Sequence, residues 1–260
     1  MQNRIYSVDS AKAIKAQSYG YLNAIHYMAP HKFAGVGNLC SHASPACIAA
    51  CLGLYSGQAG MVKDQDRDMN SVRLSRIAKA KRFMQDRAAY LLDMVRATDQ
   101  VLAQAIAMNL APCVRPNGCT DIAWEGVRFN VQRDGKGRAI AVTLGGANGL
   151  SIFDHYPDVQ FVDYTKNHTR FARKLPANYH MTLSRSETNE AHCLDALARG
   201  VNVAIVFAGD KPSQWNGFDV IDGDKHDLRH LDPRGARGVV VGLSPKGRKA
   251  KKDTGGFVVR

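Results

Sequence analysis

No stretch of this 260-residue chain approaches the roughly 18 consecutive apolar residues that a membrane-spanning helix needs. The N-terminal MQNRIYSVDSAKAIKAQ carries no apolar core behind its charges, so no secretory leader is expected either, and the cytoplasm is the expected compartment. Nucleotide-loop signatures are incomplete: Gly35-Val36-Gly37 and the Gly145-Gly146 turn lack both the GKS/T ending and the full GxGxxG pattern. Nine scattered histidines show no Ser-His-Asp order. Six cysteines without a leader argue against a disulfide scaffold and for thiols kept reduced. What is present is an ordinary globular composition, 45% hydrophobic and 22% charged, which excludes disorder throughout and suits one large domain or two small ones.

Negative charge is also in short supply, 23 Asp plus Glu against 35 Lys plus Arg, for a net +12. From Arg234 to Arg260 eight basic residues, among them Lys246, Arg248, Lys249, Lys251 and Lys252, face Asp253 alone, so +7 of the excess lies at that end. Such a run points to a polyanionic partner, nucleic acid or a phosphorylated small molecule, or else to a solubilising tail.

The chain organises as alternating strands and helices. SYGYLNAIHYM reads as a strand, and the Gly-, Ser- and Ala-rich segment over 35–60 as a loop with a helical turn around Ile48 to Leu54. From Ser71 to Asn109 apolar residues recur at three- and four-residue spacings behind an Asn70 cap, which predicts one long or two consecutive helices. Arg73, Arg76, Lys79, Lys81, Arg82 and Arg87 would give them a basic face. A hairpin is expected near 127–144 across Asp134-Gly135. VQFVDYT, HMTLSRS, VNVAIVF, FDVI and RGVVVGL read as strands, with a helix from about Thr188 to Arg199 closed by Gly200. This order predicts an α/β fold: a single domain over 1–233 with a mostly parallel sheet, open or an incomplete (β/α) barrel, a long helical segment after the cysteine loop and an inserted hairpin. Residues 234–260 form a flexible basic segment of the same domain.

Cys40, Cys47 and Cys51 stand at C-x6-C-x3-C on the loop that follows the first core strand. Soft thiolates converging from one short loop suit an iron–sulfur cluster, in which three ligands leave one iron open, or a zinc ion completed by His42 or His31. Small buried packing thiols are the alternative. Cys113 and Cys119 read as packing thiols or spare ligands. A second constellation lies at the strand tails: Arg115, Asn117 and Asp121; Asp163, Tyr164 and Lys166; Ser184, Arg185, Ser186, Asn189 and Glu190; Asp222, Asp224 and Asp227. Polar groups after successive apolar strands suit a site at the carboxyl edge of a parallel sheet, although the same residue types also cap helices and close turns.

In that order, GVGNLCSHASPACIAACL, NSVRLSRIAKAKRFMQDRAAYLLDMV, CVRPNGCTDIAWE, PDVQFVDYTKN and LDPRGARGVVVGLSPKGRKAKKDTGGFVV resemble the bacteriophage "gene product 88" family of uncharacterised proteins. The organisation is in turn similar to radical S-adenosylmethionine enzymes. That resemblance implies a four-iron four-sulfur cluster on Cys40, Cys47 and Cys51, with S-adenosylmethionine on the open iron and a separate electron donor. It implies contacts to the cofactor or substrate from Asn117, Asp121, Tyr164, Lys166, Ser184 and Ser186. The gaps between the cysteines are longer here than the C-x3-C-x2-C of those enzymes.

Three functions are expected to compete. The first is an iron–sulfur, radical-type phage enzyme in the host cytoplasm acting on a nucleotide, nucleic acid or modified base held by Lys246, Arg248, Lys249, Lys251 and Lys252. The second is a zinc-stabilised nucleic-acid-binding protein without catalysis. The third is a Mg²⁺-dependent hydrolase or transferase built on Asp121, Asp163 and Asp222.

Overall fold

The structure, a computed structural model, describes residues 4–146 and 148–260. The chain opens with β1 (Tyr6–Ser7), α1 (Ala11–Gln17) and β2 (Tyr21–His26). It crosses the cysteine loop through α2 (Pro45–Ala49) and α3 (Leu52–Tyr55) to α4 (Ser71–Gln85) and α5 (Arg87–Ala107). β3 (Ala111–Arg115) leads to the hairpin of β4 (Phe129–Arg133) and β5 (Ala139–Leu144), then to α6 (Ile152–His155). β6 (Gln160–Thr165), β7 (Tyr179–Ser184), α7 (Glu190–Ala198) and β8 (Val203–Phe207) follow. The last elements are β9 (Gln214–Trp215), β10 (Phe218–Asp222), β11 (Val240–Leu243), α8 (Gly247–Lys251) and β12 (Val258–Val259).

Ten strands form one sheet in the order β1-β2-β3-β6-β7-β8-β11-β10-β9, with β12 paired to β8; β4 and β5 pair by themselves. Every pairing from β2 across to β10 is parallel, and only the outermost β1 and β9 run antiparallel. The protein is thus a single α/β domain with a large, mostly parallel sheet. All the central strands present their carboxyl ends at one edge.

Side-chain alternation divides the sheet. Leu22, Ala24, Val114, Phe161 and Met181 point into the main core with Phe83 of α4 and Tyr90, Leu91, Met94 and Val95 of α5. Leu183, Val203, Ile205 and Val240 pack on Cys193, Ala196 and Leu197. Each fully buried apolar side chain contributes about 1.5–3 kcal/mol relative to exposure. The intervening residues face the other way, where Cys113 and Val162 meet Ala16 of α1 and Leu228. One step nearer the carboxyl edge on this second face come Arg115, Tyr164 and Ser184.

Local chemistry sets the boundaries. Asn70 caps α4 by accepting from Arg73 N at 3.0 Å, as its position predicts. Asp86, with φ −140° and ψ 69°, breaks the helical segment in two, and its side chain caps α5 through Ala89 N. Gly200, at φ +82°, follows α7 where an L side chain would be strained. α1 was not among the expected elements.

Two expectations need correction. Lys81 and Arg82 are exposed as expected, but Arg73, Arg76 and Lys79 of α4 do not belong to a solvated face. Arg73 is 1% exposed and donates to the carbonyls of Leu54, Ala59, Gln65 and Asp68; Arg76 donates to Gly53 O and stacks over Tyr27; Lys79 is 8% exposed. The turns of 53–68 leave carbonyls without strand or helix partners, and guanidinium groups supply the donors. The C-terminal segment is also ordered rather than flexible. β11 takes one edge of β8 along Val203–Val206, and β12 takes the other at Val206 and Phe207, just beyond where β7 ends.

Candidate functional site

A cavity of about 170 Å3 lies at the carboxyl edge of the sheet, beneath the cysteine loop. The loop supplies His31, Cys40, Cys47, Ile48, Cys51 and Leu52; the sheet edge supplies Arg115, Asn117, Cys119, Asp121, Tyr164, Lys166, Ser184, Val206 and Leu243; the C-terminal segment supplies Phe257. Several ties fix the loop over the edge. Glu187, just after β7, accepts from Ser44 Oγ at 2.6 Å and from Ala46 N at 2.9 Å. Asp121 N donates to Leu39 O at 2.8 Å, and Arg73 and Arg76 hold the far end.

The three loop thiols therefore do face one cavity, and a fourth joins them. Cys119, on the turn after β3, donates its Sγ–H to Met28 O at 2.9 Å and packs against Gly53. Cys40 Sγ accepts from His31 N at 3.2 Å. Burial pushes the Cys40 thiol up to about 12, with the neighbouring Cys119, Asp121 and Cys47 raising it further. Burial raises Cys51 strongly, and Cys119, Cys47 and Cys40 add to it. Cys119 is raised by burial against the lowering charges of Arg76, Arg115 and Lys79. All six cysteines are free, and burial favours the protonated form of Cys40, Cys51 and Cys119. Cys113 and Cys193 are fully buried packing thiols.

The polar wall separates into residues consumed by the fold and residues left over. Asn117 is 1% exposed. Its amide nitrogen donates to Asp163 Oδ2 at 2.7 Å and Ile122 O at 2.9 Å, while its oxygen accepts from Thr120 Oγ1, Ile122 N and Trp124 Nε1. Asp121 accepts from Arg170 at 3.2 Å and from Lys166 N at 2.9 Å. Both organise the turn; Asn117 has no capacity left for a ligand, whereas Asp121 keeps free lone pairs on the cavity wall. Ser186 is 1% exposed, donates its N–H to Asn189 Oδ1 and shares a hydroxyl bond with Thr188, and lies outside the cavity lining. Arg115 lies over the Tyr164 ring, with its carbon 4.6 Å from the centroid, and pairs with Asp227 at 3.5 Å. Lys166 donates to Ser184 Oγ at 2.9 Å and stands 5.2 Å from the Phe257 ring centre.

Other expected groupings do not assemble. Asp163 is buried, accepting from Asn117 and Tyr179, Asp121 pairs with Arg170, and Asp222 pairs with Lys211 at 2.7 Å, so each carboxylate already has protein partners. Arg185 pairs with Glu190, and Asp224 with Lys211 and Lys246. His42 is exposed beside Ser41, whereas His31 lines the cavity. Among the described residues no three His, Cys, Asp or Glu side chains stand close enough together to hold a metal ion in this conformation.

The basic C-terminal residues divide likewise. Lys246 pairs with Asp224 at 2.9 Å, and Lys249 pairs with Asp66 while lying over Tyr55. Arg248 and Lys252 stay exposed along an open groove of about 900 Å3 between α2 and α8; Lys251 is exposed outside its lining.

The gene product 88 family matches residues 4–260, nearly the whole chain. The chain belongs to this family. The match to gene product 88 spans the cysteine loop, the strand tails and the basic end alike. No curated protein and no solved structure matches the chain.

Proposed function

We propose that the protein is an iron–sulfur enzyme that works at the carboxyl edge of an incomplete (β/α) barrel, on an anionic substrate of the nucleotide or nucleic-acid class. The observation that carries this reading is the placement of Cys40, Cys47, Cys51 and Cys119 on the wall of one cavity with Arg115, Tyr164, Lys166 and Ser184. In donor chemistry the four soft sulfurs suit a cluster, and Arg76, Arg115 and Lys79 partly offset the burial that raises Cys119. The thiols are spread here and burial favours the protonated form of Cys40 and Cys51, so loading requires rotation inward and loss of protons, which metal binding itself drives.

Cys40, Cys47 and Cys51 would hold the cluster, and an open iron would supply a coordination position for a cofactor such as S-adenosylmethionine, with reduction by an external electron donor. The chain's own residues then present an apolar wall of Val206, Leu243 and Phe257 and place positive charge beside the substrate through Arg115 and Lys166. The groove of Arg248 and Lys252 lies across α2 from the cavity and extends the positive surface toward a polyanion.

The groove also favours a second reading, a zinc-stabilised nucleic-acid-binding protein. One experiment separates them: iron, zinc and acid-labile sulfide analysis of protein purified without oxygen, for wild type, Cys47→Ala and Cys119→Ala. Iron and sulfide near four per chain, lost in Cys47→Ala, supports the cluster. Retention in Cys119→Ala assigns three ligands, and loss assigns four. One zinc per chain, with DNA or RNA affinity that falls steeply with salt, supports the second reading. Protein without iron or sulfide after anaerobic reconstitution overturns the first.

A further inference from the structure

We propose that Lys166 and Ser184 form an oxyanion subsite, which takes one carboxylate or phosphoryl group of a compact ligand. The inference rests on the reading of the thiol-lined cavity as the working site and names what the substrate must carry.

Charge pairing points there first. Four cations around the carboxyl edge have carboxylate partners, Arg115 with Asp227, Arg170 with Asp121 and Glu125, Arg185 with Glu190, Lys211 with Asp222 and Asp224, while Arg76 and Lys79 donate to the backbone carbonyls of Gly53 and Arg4. Lys166, half-buried, has none among the described residues. Its ammonium meets only the neutral Ser184 hydroxyl at 2.9 Å and the face of Phe257. A half-buried ammonium is better met by an anion than by a hydroxyl and a ring face alone.

The donors are also aligned. Ser184 Oγ accepts from Lys166 Nζ, which leaves the hydroxyl proton and two ammonium protons to donate elsewhere. Both residues line the cavity, at adjacent strand tails. The strongest opposing charges at the thiol of Cys119 come from Arg76, Arg115 and Lys79, so those cations serve the sulfur end. Phe257 stands beside the ammonium, Val206 and Leu243 line the same cavity, and its volume of about 170 Å3 is close to the roughly 150 Å3 of a cavity that admits benzene. A ligand with one oxyanion on a body of about one ring fits this chemistry.

The test is calorimetric titration of the purified full chain with benzoate, phenyl phosphate and, as the uncharged control, benzyl alcohol. At least one anion is expected to bind saturably and ten-fold or more tightly than benzyl alcohol. Lys166→Met should weaken that anion at least ten-fold and Ser184→Ala several-fold, with Lys166→Arg retaining most of it. Preference for benzoate assigns a carboxylate, and preference for phenyl phosphate assigns a phosphoryl group. The inference is overturned if neither anion outbinds benzyl alcohol, or if Lys166→Met leaves the affinity unchanged. Should Lys166→Met fail to fold, Ser184→Ala, which deletes one atom, decides by the same criterion. Iron content measured on the same samples keeps the two proposals apart, since anion binding without iron sinks only the cluster, and iron without anion binding sinks only this subsite.

Discussion

A Cβ placed on Gly53 would lie 2.7 Å from the Cβ of Cys119 and 2.9 Å from its Sγ. The cysteine loop and the turn after β3 thus touch at a point where no side chain can intervene. Gly53→Ala is expected to push Cys119 off the cavity wall and to lower stability by about 1–3 kcal/mol, the usual cost of overpacking. Urea unfolding gives the cost, and the thiol-reagent accessibility of Cys119 should rise in the variant.

Asn117 spends its whole amide on the turn that carries Cys119 and Asp121. Its loss in Asn117→Ala leaves Trp124 Nε1 without its 3.2 Å acceptor and Asp163 without its 2.7 Å donor, both in buried surroundings. The expected destabilisation is about 2–4 kcal/mol, the sum of stranded buried polar groups. Denaturant midpoints measure it, and Trp124 emission should shift before global unfolding.

Arg73 acts the same way on the other side of the loop. Its guanidinium donates to four backbone carbonyls of the 54–68 region while 1% exposed. Arg73→Met keeps the packing volume and removes the donors, so the turns of 54–68 should open while the sheet persists. Limited proteolysis should cut first in that region in the variant. An unchanged cleavage pattern would contradict the role given to Arg73.

His26 is held neutral. Pro116 O can only accept, so Nδ1 carries the proton and donates at 2.9 Å, and Nε2 accepts from the Tyr90 hydroxyl at 2.5 Å. Burial lowers its pKa from 6.5 to about 3. A depressed folded value means that the stability it contributes is present above pH 6.5 and lost as pH falls toward 3, at about 1.4 kcal/mol for each pH unit crossed. His26→Gln is therefore expected to be less stable than wild type at pH 7, with the gap narrowing between pH 6.5 and 4. Asp163 and Asp232, pushed up to about 7 and about 6, oppose this trend in both proteins and cancel from the difference. Urea unfolding at pH 7, 5.5 and 4.5 checks it.

Much of the architecture was legible from local pattern. The apolar runs of β6, β7, β8 and β11, the Asn70 cap and the Gly200 terminator report on nearest neighbours and backbone φ, which a sequence states directly. α1 and the clamp role of the α4 arginines were not legible. A basic residue on a helix face reads as solvated unless one knows that a carbonyl-rich turn packs over it. The site was half legible for the same reason. Cys40, Cys47 and Cys51 announced themselves by clustering, whereas Cys119, 68 positions beyond Cys51, read as a packing thiol or at most a spare ligand. Its place directly after β3, at a strand tail like the other candidates, was the one signal that could have marked it.

By itself, then, the sequence determined the strand-and-helix alternation, the thiol-rich loop and the basic end, because these depend on periodicity, spacing and net charge. Only the tertiary structure decided which polar residues remain free. Asn117, Asp121, Asp163 and Arg115 are the same kinds of residue as Lys166 and Ser184. Packing gives the first four partners from distant segments and leaves the Lys166 ammonium facing a cavity without a counter-charge. Pairing is a property of three-dimensional neighbours, and no local pattern carries it.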